Sequence, residues 1–228
     1  MRENQEGVPV MMKLYGISIS NYFSVAKAAF LEKGVPFEEV PTMPGDAPEV
    51  VAASPMGKVP YVVREDGSTL SETNVIFDYL EEIQPNPRLY PSDSWEKAKT
   101  KEIIRTVELY VDAAARALIT MVYFGAPRDE VAIKSQRPVI EKGLGALKQL
   151  AVFEPFIAGK EYSYADIAAY FHLQFTNLHT TKLYDWDIYK EDQALAEYNE
   201  RVSIQPMIKQ VSDQLTKDLN AFLSKGRS

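Results

Sequence analysis

The stretch Met56-Gly57-Lys58-Val59-Pro60-Tyr61-Val62-Val63, continued by Thr69-Leu70-Ser71-Glu72-Thr73-Asn74 into Val75-Ile76-Phe77-Asp78-Tyr79-Leu80, decides the fold. Tyr61 to Val63 is a short apolar β run, and Glu65-Asp66-Gly67-Ser68 carries turn chemistry. Thr69-Leu70 therefore returns as the second strand of a hairpin. A helix follows, with Val75, Ile76, Tyr79, Leu80 and Ile83 at helical spacing and Ser71 or Thr73 as candidate cap. Pro60 opens the first strand, where its missing N–H needs no partner. If its bond to Val59 is cis, the Val59 main chain is turned outward toward an extended peptide ligand. Glu72-Thr73 falls where N–H groups point out of a helix start, a site suited to a carboxylate.

Upstream, Met12 to Gly16 reads as a first strand, followed by the loop Ile17-Ser18-Ile19-Ser20-Asn21. A helix then runs from about Tyr22 to Lys33, with Val25, Ala26, Ala29 and Phe30 on one face and Gly34 as its stop. Val35 to Val40 is a second strand, which Pro36 places best at a sheet edge or strand start. Between Pro41 and Pro55 the prolines and Gly45 leave room only for a short helix at Pro48 to Ala53. The order gives an α/β domain with a mixed sheet over residues 12–84. Residues 85–93, with Pro85, Pro87 and Pro91, form a linker, and residues 94–228 read as helices alone. Those helices span about Ser94 to Phe124, Arg128 to Leu150, Tyr164 to Leu178 and Pro206 to Leu223. Residues 1–11 read as a flexible extension, polar from Met1 to Val10. Ser163 and Asp166 can close a capping box at the head of the third helix, a structural role.

"GKVP" before a hairpin, and "SET" before an apolar helix, resemble the glutathione-binding half of the glutathione S-transferases. The helical second half, with "GKEYSYADIAAY" at its capped helix, extends the resemblance over nearly the whole chain from Met12. It implies a thioredoxin-like βαβαββα domain followed by an all-helical domain, with a cis-proline at Pro60. It also implies that Val59 pairs with the cysteinyl backbone of glutathione while Glu72 and Thr73 hold its γ-glutamyl end. The implied protein is a cytoplasmic, homodimeric transferase of the serine type, bacterial-like, using glutathione as cosubstrate in detoxification.

Composition narrows the classes further. A net charge of −7 over 228 residues argues against a nucleic-acid partner, which needs clustered Lys and Arg. The absence of cysteine excludes disulfides, thiolate metal sites and a catalytic cysteine, and it suits a reducing compartment. No apolar run approaches membrane length. His172 and His179 lack ligand-spaced partners, so no metal is expected. Arg105, Glu108, Asp112 and Arg116 read as a solvated helical face, some of whose charges could pair across a dimer.

A thiol with pKa near 8.5 is mostly protonated at neutral pH, so a transferase of this kind needs a donor that favours the thiolate. The loop before the first helix offers four hydroxyls: Ser18, Ser20, Tyr22 and Ser24. Counted back from Glu32-Lys33-Gly34, Ser20 matches the catalytic serine of the serine-type transferases, and it also stands as a helix cap. Asn21-Tyr22-Phe23 replaces the proline and basic residues that follow it in many relatives, which keeps Tyr22 as the alternative donor. The Pro41–Pro55 loop has Asp46 and Glu49 but no Lys or Arg, leaving Lys58 as the basic candidate for the glycyl carboxylate. Tyr15 and Tyr22, with Tyr110, Met121, Tyr123 and Phe124, are candidates for an apolar electrophile pocket. A competing reading is a non-catalytic binding module in a protein complex, which keeps the cleft without turnover.

Overall fold

In the computed structural model, which describes residues 11–225, the chain forms two units. One comprises the chain up to Leu89 together with Gln210–Leu219, and the other Tyr90–Lys209 together with the chain from Asn220 onward. The polar stretch from Met1 to Val10 lies outside the described residues.

The first unit follows the expected order: β1 (Met12–Gly16), α1 (Asn21–Lys33), β2 (Phe37–Pro41), α2 (Pro48–Ala53), β3 (Tyr61–Val63), β4 (Thr69–Ser71) and α3 (Thr73–Ile83). The sheet order is β2-β1-β3-β4, with β1 parallel to β2 and antiparallel to β3. β2 thus lies at an edge, where the missing donor of Pro36 does no harm. Along β1 the pleat buries Met12 and Leu14 and exposes Lys13. α1 buries Val25, Ala26, Ala29 and Phe30 as expected, and also Phe23 and Ala28. Gly34 closes it at φ 62°, donating to the carbonyls of Leu31 and Phe30.

Two expectations for α3 are corrected. Its N-cap is Glu72, and neither Ser71 nor Thr73 fills that position. Its buried apolar residues are Ile76, Phe77 and Leu80, while Val75 is 46% exposed. The sequence allows two neighbouring apolar stripes, and the one carrying the Phe77 ring removes more apolar area from water. Lys33, at the end of α1, is wholly buried, with Nζ 2.7 Å from Glu81 Oε2 and 2.5 Å from the Pro87 carbonyl oxygen. Glu81 also accepts from the Leu89 N–H at 3.3 Å. This ion pair ties α1 and α3 to the proline-rich segment that follows them.

The second unit is helical, as expected, but its boundaries differ. The single helix expected from Ser94 to Phe124 is α4 (Ser94–Thr106), a π-helical segment (Val107–Asp112), α5 (Ala113–Arg116) and α6 (Ile119–Tyr123). α7 (Glu130–Leu150) follows and lies close against the π segment, since a Cβ added at Gly143 would come 2.3 Å from the Tyr110 carbonyl oxygen. α8 runs Tyr164–Tyr184, past the expected end at Leu178, and is buried on nearly every side. The capping box at its head is formed. Asp166 accepts from the Ser163 N–H at 2.9 Å, the Ile157 N–H at 2.8 Å and the Tyr198 hydroxyl at 3.2 Å. α9 (Gln193–Ser203) was not anticipated, although Asp192 caps it and Leu195, Tyr198 and Val202 form its buried stripe. α10 (Pro206–Lys225) ends the described chain.

Candidate active site

The sheet register gathers the candidate residues of the first unit. Tyr15 of β1 lies opposite Tyr61 of β3, and Tyr61 lies opposite Ser71 of β4. β1 therefore ends, β3 begins and β4 ends at the same edge of the sheet. The loop bearing Ser18 and Ser20, the segment Lys58-Val59-Pro60, and Glu72-Thr73 all leave the sheet there. α1 and α3 both start at that edge, so the positive dipole ends of two helices serve one small region.

Each hydroxyl in the loop has a distinct setting. Ser24 is buried inside α1. Ser18 is half-buried in the loop before α1. Gln214 Nε2 donates to Asp218 Oδ2 at 2.6 Å, and the Asp218 carboxyl lies below its ordinary range, with Ser18 and Gln214 the groups that lower it. Ser20 is the N-cap of α1, with extended backbone, and its Oγ accepts from the Phe23 N–H at 3.3 Å. The cap uses a lone pair and leaves the Ser20 proton to be donated. Tyr22 is half-buried in the first turn. Tyr15 stacks on Tyr61 with ring centroids 4.7 Å apart and planes inclined by 12°.

Val59 is half-buried, Pro60 is buried behind a cis Val59–Pro60 bond, and Lys58 is exposed. The Pro41–Pro55 loop is tied to this segment by the Gly45 N–H, which donates to the Gly57 carbonyl at 2.8 Å. A side chain at Gly57 would meet the Gly45 carbonyl oxygen at 2.5 Å, so glycine is required for that approach. Glu72 is exposed at φ 71° and ψ 119°, a region that costs a non-glycine residue about 1–3 kcal/mol. Thr73 beside it is buried.

In the second unit, Tyr123 stacks on His179 at 5.6 Å and packs near Phe175 and Phe222, while Phe124 meets Phe222 edge-on at 5.9 Å. Met121 packs against a neighbouring core of Leu118, Val122, Ile133 and Leu183. Tyr110 stands on the π segment, 57% exposed, and Phe124 is 59% exposed. Burial pushes the Tyr123 hydroxyl up to about 12, against the pull of Arg116, so it remains a neutral phenol. Burial likewise pushes His179 down to about 4, with Nδ1 2.8 Å from the Phe175 carbonyl oxygen.

The charged series expected to face solvent is corrected. Glu108 and Asp112 are buried, Asp112 at 0% exposure. Asp112 accepts from Arg116 Nε at 2.9 Å and Nη2 at 3.1 Å and lies 3.0 Å from His172 Nδ1. Burial alone would raise the Asp112 carboxyl, but His172 and Arg116 outweigh it and hold it at about 2. The Arg116 guanidinium lies over the Phe175 ring at 4.2 Å. Nothing local in the sequence points to this cluster, because His172 comes from another helix. Among the described residues no group of three or more His, Cys, Asp or Glu could hold a metal ion.

A family model described as "Glutathione S-transferase, N-terminal domain" matches residues 14–88. A glutathione S-transferase of Pseudomonas putida is 40% identical over 167 residues, covering 73% of this chain and 76% of the relative. Glutathione transferase F7 of Populus trichocarpa is similar in structure, with TM-score 0.74 at 22% identity, covering 90% of this chain and 99% of that one. A glutathione S-transferase of Methylobacterium radiotolerans, solved in complex with glutathione sulfonate, gives TM-score 0.72 at 23% identity, over 88% and 94% of the two chains. At these identities the two solved structures speak to the fold.

Proposed function

The chain belongs to the glutathione S-transferase family, and on that premise we propose that it binds glutathione, stabilises its thiolate and directs it at a small apolar electrophile. The observation that carries the reading is the convergence at one sheet edge of two helix N-termini with Ser20, Val59-Pro60 and Glu72-Thr73. Val59 presents main chain to the cysteinyl backbone, Glu72 and Thr73 take the γ-glutamyl end, and Lys58 attracts the glycyl carboxylate. Ser20 donates its hydroxyl proton to the sulfur, with the positive end of α1 adding to the effect. The thiolate attacks an electrophilic carbon, forming a C–S bond as a leaving group departs with its electron pair, or as a carbon–carbon π bond breaks and its pair shifts onto an electron-withdrawing group and is then protonated. The thiol proton passes to solvent. Thiolate stabilisation and positioning supply the acceleration.

Tyr15, Tyr110, Tyr123 and Phe124 are the aromatic side chains this reading offers for electrophile recognition. A homodimer at work in the cytoplasm is the form this reading gives, as is usual for the family. The test is calorimetric titration of glutathione with ultraviolet detection of the bound thiolate. Binding with a thiolate at neutral pH that Ser20→Ala loses supports the reading. A thiolate that survives in Ser20→Ala and disappears in Tyr22→Phe transfers the role to Tyr22. No binding at millimolar glutathione refutes the enzyme and favours a binding module.

A further inference from the structure

We infer that His179 determines which ligands the aromatic cluster of the helical unit takes. Its Nε2 accepts a hydrogen bond from a hydroxyl or N–H group on an otherwise apolar ligand held among Tyr123, Phe124 and Phe222. The inference rests on the electrophile recognition proposed above and names the class of electrophile, one that carries such a donor.

His179 lies toward the end of α8, wholly buried. Its Nδ1 is 2.8 Å from the Phe175 carbonyl oxygen, one turn back on the same helix. A carbonyl oxygen only accepts, so Nδ1 carries the ring hydrogen and Nε2 of the neutral imidazole keeps its lone pair. Among the described residues that Nε2 is buried with no hydrogen-bond partner. Native folds seldom leave such an acceptor unmet, because it forfeits the hydrogen bonds it would make in water. Arg116, the cation beside this cluster, is turned to Asp112 through Nε and Nη2 and lies over the Phe175 ring.

Nδ1 adjoins the ring carbon that joins Cβ and faces its own helix, so Nε2 is the nitrogen further from the α8 backbone. The surroundings are aromatic. The imidazole centroid is 4.1 Å from that of Phe175 and 5.6 Å from that of Tyr123, and Phe222 packs against both Tyr123 and Phe124. Phe124 is exposed and Phe222 half-buried, so the cluster reaches the surface through these two rings. Phe222 stands in the last turn of α10, and helix ends open at little cost. A ligand that turns Phe222 aside meets aromatic faces and one lone pair, the combination of apolar lining and sparse polar atoms that orients small molecules. A ligand hydroxyl satisfies Nε2, whereas an analogue without one leaves it orphaned, so the site discriminates between them.

The test uses the full chain and two probes of one shape, β-naphthol and β-methylnaphthalene, first without glutathione. His172 and His179 are the only histidines, so nitrogen NMR of the imidazoles resolves the His179 Nε2 signal. β-Naphthol is expected to move that signal upfield as its hydroxyl donates, and β-methylnaphthalene to leave it in place. His179→Phe keeps a ring against Tyr123 and removes the acceptor. By calorimetry, its affinity for β-naphthol relative to β-methylnaphthalene should fall roughly tenfold from the wild-type ratio. With glutathione added, meta-hydroxycinnamaldehyde and meta-methylcinnamaldehyde are compared by kcat/KM, each divided by its uncatalysed rate. Their ratio should fall by a similar factor in the variant. Packing damage lowers both members of a pair alike and leaves the ratio. The inference is overturned if millimolar β-naphthol leaves the His179 Nε2 signal in place, as a bound water meeting the acceptor would require. It is equally overturned if the ratios match in wild type and variant. The spectrum needs no variant, so it decides even where His179→Phe does not fold. If β-naphthol is preferred but neither aldehyde is turned over, the transferase reading fails and the assignment of His179 stands. If both aldehydes react with ratios unmoved by the variant, this inference alone fails.

Discussion

Acidification sets two buried groups of the helical unit against each other, and their variants should tilt the stability profile in opposite directions. His179 is fully buried, and its pKa falls from 6.5 to about 4 because burial disfavours the imidazolium. Between those values the unfolded chain carries a proton that the folded one refuses, so stability declines as pH drops. At 1.36 kcal/mol per pKa unit the loss is roughly 3 kcal/mol. Asp166, equally buried, moves the other way, from 3.8 to about 6. Burial outweighs the hydrogen bonds from Ile157, Ser163 and Tyr198. From about pH 6 down to 3.8 the folded chain binds the extra proton, and stability rises by roughly 3 kcal/mol. The two contributions nearly cancel, so wild-type Tm should be almost level across this window. His179→Phe leaves only the Asp166 contribution, and its Tm should climb as pH falls, by roughly 6–12 °C for a chain of this size. Asp166→Asn leaves only that of His179, and its Tm should fall by a similar amount. Packing damage in either variant lowers the whole curve without changing its tilt, so the slope is the readout. Thermal melts followed by circular dichroism at half-unit pH steps suffice. Variant curves parallel to the wild type would refute the reasoning.

Ser20→Ala should raise the bound-thiol pKa by about 1–2 units, the worth of one hydrogen bond to an anion of about 1.5–3 kcal/mol, so turnover falls at neutral pH and recovers in alkali. A pH profile of kcat/KM checks this. Lys33→Met keeps the buried stem but removes the ammonium that Glu81 and the Pro87 carbonyl share, and it should cost about 3–5 kcal/mol in urea unfolding. Gly143→Ala drives a methyl into the Tyr110 carbonyl, 2.3 Å from the ideal Cβ. It should cost about 1–3 kcal/mol and, by shifting Tyr110, change the ranking of electrophiles without changing glutathione Kd.

The first unit was legible because its signals are local. Pro60 must open a strand, Gly34 must end a helix, and Ser20 must cap one, whatever lies elsewhere in the chain. The second unit reads differently, because long-range partners decide the fate of its polar residues. Arg105, Glu108, Asp112 and Arg116 have the spacing of a solvated face, and no periodicity reveals that His172 waits for Asp112 on α8. The π segment compounds the difficulty. Each i→i+5 turn absorbs an extra residue, so the buried face of a helix drifts from where a regular count puts it. α9 escaped notice for a weaker reason, since Asp192 with Leu195, Tyr198 and Val202 is a readable cap and stripe among many charges.

The loop hydroxyls share one stretch of sequence, and only the fold tells them apart. The choice among four loop hydroxyls was thus open to the sequence in principle but not in practice. Ser24 is removed by its burial inside α1, and that fact is tertiary. A motif can place a hydroxyl at a helix start. Which way its proton points depends on what the rest of the fold sets beside it.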